Sequence, residues 1–327
     1  MKPKFCFLAA VIAVAGFVFL AEAAPQDKLI RARVAIPAIS LAQLPLEVGV
    51  QVGIFKAEGL DIGIEQIQTP ADIASVVNGE VQLTSNGSAA IRAAAGGAPV
   101  KLLTGGSEKP AFYLIAQPEI KKVTDLRGKI IGLTGVRSLV DIATRSILKQ
   151  HGMDADKDVR ATYLGSTGNV FTALASKRVS AGLLSPPFDY KAKKLGLQVL
   201  LFAGDYVHLL QGGFASSDQQ IAANPDMIRR FIRAYIRSLQ FTQSQKEKTL
   251  PVIIKTFQMD EESAAEAYNS VKGVWRADGG VSNDVVQNEI EVWKSSTKQP
   301  RDVSLDKVMD FSFLRQVQQE LNIKPLD

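Results

Sequence analysis

Apolar residues recur along this chain in two alternating rhythms: short runs rich in Val, Ile and Leu, and longer stretches where they return every three or four positions. The first rhythm belongs to strands and the second to amphipathic helices. It predicts strands at 31–36, 62–67, 81–85 and 100–104, separated by helices at 45–55, 71–78 and 89–95. Pro45 suits the first turn of its helix, and Gly79 stops the next one. A second cycle has strands at 112–116, 129–133, 161–164, 181–184 and 197–202, with a helical turn at 123–127 and helices at 139–150, 170–176 and 188–195. Regular alternation of strand and helix is the pattern of parallel α/β layers.

After Phe214 the strand rhythm stops, and helices are predicted at 227–242, 261–271, 283–294 and 305–319. In the first of these, Ile228, Phe231, Ile232, Tyr235 and Leu239 form a buried stripe. Arg229, Arg230, Arg233 and Arg237 flank it, as a solvated face or as a docking face for an acidic partner at the membrane. A tail with no sheet of its own must pack back on the first cycle. The expected fold is therefore α/β with two lobes, each a mainly parallel sheet flanked by helices, and with the helical C-terminal tail on lobe 1. Residues 24–110 and 213–327 make the discontinuous lobe 1 and residues 111–212 lobe 2. The chain crosses between them near 107–112 and 210–214, with the hinge at Gly105-Gly106 and Gln211-Gly212-Gly213.

The N-terminus changes the setting. Lys2 and Lys4 precede an apolar run at 5–20, and Ala21-Glu22-Ala23 offers small residues for cleavage, so residues 1–23 read as a signal peptide. An uncleaved anchor is the alternative, but the run is shorter than the ~20 residues of a spanning helix. The mature protein is thus expected to be exported. Cys6, the only cysteine, lies in that segment, which leaves the mature chain without thiol, disulfide or thiolate metal site. A chain of that length holds together by burial alone.

Charge narrows the partners. With 38 basic and 33 acidic residues the formal charge is +5, falling to +4 once Lys2, Lys4 and Glu22 are removed. No long basic run interleaved with aromatics accompanies this mild excess, so nucleic acid is not an expected partner.

One local device occurs three times: Ser85-Asn86-Gly87-Ser88, Thr134-Gly135-Val136-Arg137-Ser138 and Gly165-Ser166-Thr167-Gly168-Asn169. Each joins a strand end to a helix start, where free backbone N–H groups point outward and where open α/β sheets bind ligands. A single copy is an ordinary capped turn. Copies in both lobes make the two sides of one cleft, which the residues from Ser40 to Gln43 and Ser185-Pro186-Pro187 would also line. The candidate ligand-binding residues are Ser40, Gln43, Ser85, Asn86, Ser88, Thr134, Arg137, Ser138, Ser166, Thr167 and Ser185. Arg137 brings a guanidinium that pairs with a carboxylate or sulfonate, unless it is a solvated loop tip. His151 complements a helix C-terminus, and His208, near the second crossover, is either a ligand contact or a surface residue. Trp275 and Trp293 read as packing residues, and the acidic residues at 260–262 complement a helix start. There is no G-x-S-x-G, H-E-x-x-H, P-loop or G-x-G-x-x-G motif, and two histidines without cysteine leave little for a triad or a transition metal. Neither a cofactor nor a catalytic residue is expected.

The runs from Gly53 to Asp61 (GIFKAEGLD), Val76 to Val81 (VVNGEV), Asp125 to Lys129 (DLRGK) and Ala173 to Ser176 (ALAS) resemble the nitrate/sulfonate/taurine and thiamine-precursor family of periplasmic substrate-binding proteins. The order and spacing agree from about residue 31 to 214, with a looser match in the helical tail. The resemblance implies a periplasmic-binding-protein type II fold and a monomer that holds a small-molecule solute between its lobes. It also implies delivery to the permease of an ABC transporter in the inner membrane. Gln82-Leu83-Thr84 and Lys177-Arg178-Val179-Ser180 depart from the family pattern at turns, and the segment 38–43 lacks the aromatic residue often found there. The cysteine-rich segment of the pyrimidine-synthase relatives is absent. The expected solute is small and anionic, of sulfonate or carboxylate type. A secreted enzyme using the same cleft and a sensory ligand-binding module are the alternatives.

Overall fold

The structure, a computed structural model, describes residues 29–326, so the signal-peptide reading of residues 1–23 lies outside the described residues. The first cycle runs β1 (Ile30–Ile36), α1 (Leu44–Gln51), α2 (Ile54–Ala57), β2 (Leu60–Gln66), α3 (Ala71–Val77), β3 (Leu83–Thr84), α4 (Gly87–Ala95) and β4 (Val100–Leu102). The second runs β5 (Tyr113–Ala116), β6 (Ile130–Leu133), α5 (Leu139–Gln150), β7 (Arg160–Tyr163), α6 (Thr167–Ala175), β8 (Ala181–Leu184), α7 (Phe188–Lys194) and β9 (Gln198–Phe202). The chain then returns with β10 (Ala215–Ser217), α8 (Asp218–Ala223), α9 (Pro225–Ser244), α10 (Lys246–Phe257), α11 (Glu261–Val271), α12 (Asn283–Ser296), α13 (Leu305–Val308) and α14 (Ser312–Glu320).

Two five-stranded sheets result, ordered β2-β1-β3-β10-β4 and β7-β6-β8-β5-β9. Each has one antiparallel strand, β10 in the first and β5 in the second, and in each that strand has just crossed from the other half. The crossovers pair with each other: Ser107 and Gln211 exchange N–H···O bonds of 2.8 Å in both directions. Glycine is required beside this pair, because a Cβ on Gly106 would lie 2.2 Å from the Gln211 carbonyl.

Alternation along the strands places apolar residues on both faces of each sheet. Val34 and Ile36 join one core with α1, α9 and α11, while Ala35 joins another with α4 and α12. Likewise Leu114 and Ala116 pack beneath α5, and Ile115 beneath α6. Around Phe214 the first core is aromatic, with ring centroids 4.9 Å from Phe231 and 4.7 Å from Tyr235, both edge-on. The halves also touch where Lys194 meets Glu262 at 3.7 Å and Asn288 donates to the His208 carbonyl at 3.0 Å.

Several boundaries differ from expectation, each for a local reason. The helix at 45–55 breaks at Gly53, whose φ of 85° is left-handed, and resumes as α2. The expected 305–319 helix breaks where Met309 bridges to Leu102 at the edge of β4 and Asp310 N–H donates to the Leu102 carbonyl at 2.8 Å. Strand β10 corrects the expectation that only helices follow Phe214; Ala215-Ser216-Ser217 has no apolar alternation, yet it is buried between β3 and β4. Helix α10 was not expected either, as it carries Pro251 in its interior. The arginine stripe of α9 meets acids: Arg233 and Arg237 both reach Glu58, Arg233 also reaches Glu320, and Arg229 and Arg230 reach Asp226.

Candidate functional site

A cavity of about 190 Å³ lies between the strand ends of the two sheets. Its first wall is built by the segment after β1, the β3–α4 turn and α4. Its second wall comes from the β6–α5, β7–α6 and β8–α7 turns, and the crossovers close the back with Phe112 and Gln211. Ser40, Gln43, Ser85, Asn86 and Ser88 stand on the first wall; Thr134, Ser138, Ser166, Thr167 and Ser185 stand on the second.

Arg137, the remaining residue expected there, does not line the cavity. Its φ of 58° turns the loop so that the side chain runs outward, where Nη2 donates to the Ser296 carbonyl at 3.4 Å. His208 is exposed, and among the described residues it contributes only its carbonyl, to Asn288. His151 takes its expected place at the end of α5, with Nδ1 at 2.8 Å from the Ile147 carbonyl.

The charged side chain on the lining is Arg92, which the sequence reading passed over. It projects from α4, whose small residues Ala89, Ala90, Ala94 and Ala95 pack closely. Behind it stands Glu289 of α12, fully buried and ion-paired to Arg92 Nη1. Glu289 Oε1 also accepts from Ser88 Oγ at 2.7 Å and from the Leu210 N–H at 3.0 Å. Burial pushes the Glu289 carboxyl above the usual carboxylate range, and Arg92 and Ser88 offset this only in part. Ser88, expected to meet a ligand, thus gives its hydrogen to Glu289 and accepts from Arg92. Among the described residues, Nε and Nη2 of Arg92 have no protein partner and remain as donors.

The three turns converge as helix starts. Ser138 Oγ accepts from the Asp141 N–H, and Ser166 Oγ from the Asn169 N–H, both at 3.2 Å. First-turn N–H groups remain unpaired among the described residues on all three helices: Ser88 and Ala89 on α4, which has no side-chain cap, Leu139 and Val140 on α5, Thr167 and Gly168 on α6. All six groups sit in the first turn of a helix, and all but Gly168 belong to lining residues. The arrangement can therefore receive negative charge or several carbonyl-type acceptors.

Hydroxyl and amide groups fill the intervals. Ser40 Oγ donates to Gln43 Oε1 at 2.6 Å, Thr167 and Ser185 hydroxyls lie 3.2 Å apart, and Thr134 and Ser138 hydroxyls 2.8 Å apart. Gln211 Oε1 accepts the Ala111 N–H at 2.7 Å, which turns its amide nitrogen the other way. The lining includes no His, Cys, Lys, Asp or Glu. Among the described residues no cluster of three or more potential metal ligands occurs, and no helix is long and apolar enough to cross a membrane.

Comparison with known proteins adds three findings. The family profile described as "NMT1/THI5 like" matches residues 43–249. The riboflavin-binding protein RibY of Chloroflexus aurantiacus is 27% identical over 227 residues, which is 67% of this chain and 64% of that protein's length. Among solved structures, the periplasmic aliphatic sulphonate binding protein SsuA from Escherichia coli superposes with a TM-score of 0.68 at 18% identity, covering 88% of this chain and 92% of that one. The periplasmic nitrate-binding protein NrtA from Synechocystis PCC 6803 gives 0.74 at 14% identity, covering 91% and 90%. The fold is that of periplasmic binding proteins, and these neighbours are solute-binding proteins rather than enzymes.

Proposed function

Since this chain belongs to the NMT1/THI5-like family, we propose that it is the periplasmic solute-binding protein of an ABC importer. In this reading it works as a monomer that closes its two halves, about the paired crossovers, on a small solute with a carboxylate or sulfonate head and hands it to the inner-membrane permease. The carrying observation is that unpaired N–H groups from three helix starts line the same cavity as the Arg92 guanidinium. Such donors are preorganised for an anion and need little rearrangement to bind it. Arg92 replaces Arg137 as the guanidinium that meets the head group. The cavity of about 190 Å³ is smaller than the roughly 300–1,000 Å³ of sites for drug-sized ligands, which favours a small solute. Among the lining hydroxyls Ser88 has a carboxylate beside it, and that carboxylate, Glu289, is also held by Arg92 and by the Leu210 N–H, which supports binding over catalysis.

The test is a thermal-shift panel of carboxylates, sulfonates, nitrate, pyrimidines and riboflavin. A ligand of the native state must raise the melting temperature in proportion to ln(1 + [L]/Kd). A rise with an organic anion, recovered intact after binding, is the expected result. A rise with neutral compounds alone would overturn the anionic reading. The riboflavin-binding relative makes a flavin the second reading, for which Phe112 is the aromatic ring available on the lining.

A further inference from the structure

Asn86, the residue before α4, turns only one edge of its amide toward the cavity. Its Nδ2 donates to Asp72 Oδ2 at 2.7 Å and to Thr69 Oγ1 at 2.6 Å, which occupies both amide hydrogens. Asp72 is fully buried in α3, and its Oδ2 also receives the Thr84 hydroxyl at 3.3 Å. With the carboxyl ionised, or protonated on Oδ1, which has no partner among the described residues, Oδ2 accepts from both groups. Flipping the Asn86 amide would set its carbonyl against that acceptor oxygen. The edge left for the cavity is therefore the carbonyl, Oδ1, which has no partner of its own among the described residues.

The first wall thus offers a fixed acceptor at Asn86 and fixed donors at Arg92. Resting on the reading above of an anionic head at Arg92, we infer that the solute carries, besides that head, an N–H or O–H donor that meets Asn86 Oδ1. Asp72 is the positioning residue that imposes this requirement by locking the amide. A solute made only of acceptors, such as nitrate or a plain alkanesulfonate, would bury the carbonyl without replacing its water. Leaving one such group unpaired costs about 10- to 100-fold in affinity.

Two pairs of compounds isolate the donor. Succinamate and levulinate have the same charge, the same carbonyl and nearly the same volume, and differ by NH2 against CH3. The corresponding sulfonates, 3-amino-3-oxopropane-1-sulfonate and 3-oxobutane-1-sulfonate, repeat the comparison with the other head group. Calorimetry on the full mature chain should show the amide of at least one pair binding about 10- to 100-fold more tightly than its methyl ketone. In Asp72→Leu the amide is free to turn, and that ratio should fall toward one. Equal affinities within each pair for the wild type would overturn the inference while leaving the anion site intact. Binding of none of the four compounds would overturn both. A ratio unchanged in Asp72→Leu, with both affinities lowered alike, would show that Asp72 is structural only. If that variant does not fold, the wild-type ratios still decide the donor requirement.

Discussion

Glu289 Oε1 accepts the backbone N–H of Leu210 at 3.0 Å, so one buried carboxylate ties the second crossover to the guanidinium of the candidate site. Removing either charge of this pair leaves the other uncompensated in a buried place. Glu289→Gln and Arg92→Met are each expected to destabilise the fold by about 3 kcal/mol, and the double variant Arg92→Met/Glu289→Leu to recover most of that loss. Urea unfolding measures it. A double variant as unstable as the single ones would show that the pair is not what matters there.

Arg92 and Arg137 should separate in binding. Arg92→Gln removes charge-assisted hydrogen bonds and is expected to weaken an anionic ligand by about 10- to 100-fold. Arg137→Ala, at the outer face of its loop, should change affinity by less than about threefold, as screened surface charges do. Calorimetry with any ligand from the thermal-shift panel decides, and the reverse order would move the site to the rim.

Burial raises the Asp72 carboxyl above its ordinary range, against the opposing hydrogen bonds of Asn86 and Thr84. The folded state then holds its proton to higher pH than the unfolded state does. The stability this contributes is complete below the unfolded pKa and is lost as pH rises through the raised folded one. Asp72→Asn lacks this titration. Its melting temperature should therefore gain on the wild type as pH rises above about 4. A constant gap across that range would contradict the raised value.

Two glycines make opposite predictions. A Cβ at Gly106 would meet the Gln211 carbonyl at 2.2 Å, whereas nothing lies within 4 Å of one at Gly135. Gly106→Ala should force the crossovers apart and destabilise by about 1–3 kcal/mol. Gly135→Ala should leave the unfolding midpoint unchanged and act only on ligand affinity, because Gly135 lines the cavity.

How much of this was legible in the sequence depends on how local each signal is. Ser138 and Ser166 announce helix starts by chemistry that acts over three residues, and the strands beside them are short local runs, so the turns lining the cavity were readable. Arg92 was not, because its meaning comes from Glu289, 197 residues away. Nor was the outward turn of Arg137, since composition does not reveal that a non-glycine residue adopts a φ of 58°. Asp72 carries no signal in the sequence either, because only the fold brings it to Asn86. Strand β10 is held in place by its neighbours on either side, and its own small polar residues carry no β signal.

The placing of β10 also governs the order in which the chain can fold. Ala215 pairs with Thr84 on one side and Leu102 on the other, so the first sheet is divided until residues made more than a hundred positions later arrive between its parts. During synthesis, β3 and β4 therefore present two unpaired edges while the whole second sheet goes by. Unpaired edges recruit foreign strands, and contacts so distant in sequence form slowly. This half of the molecule is thus the one that most needs a chaperone or a delay in folding, although its finished core is the larger and more aromatic of the two.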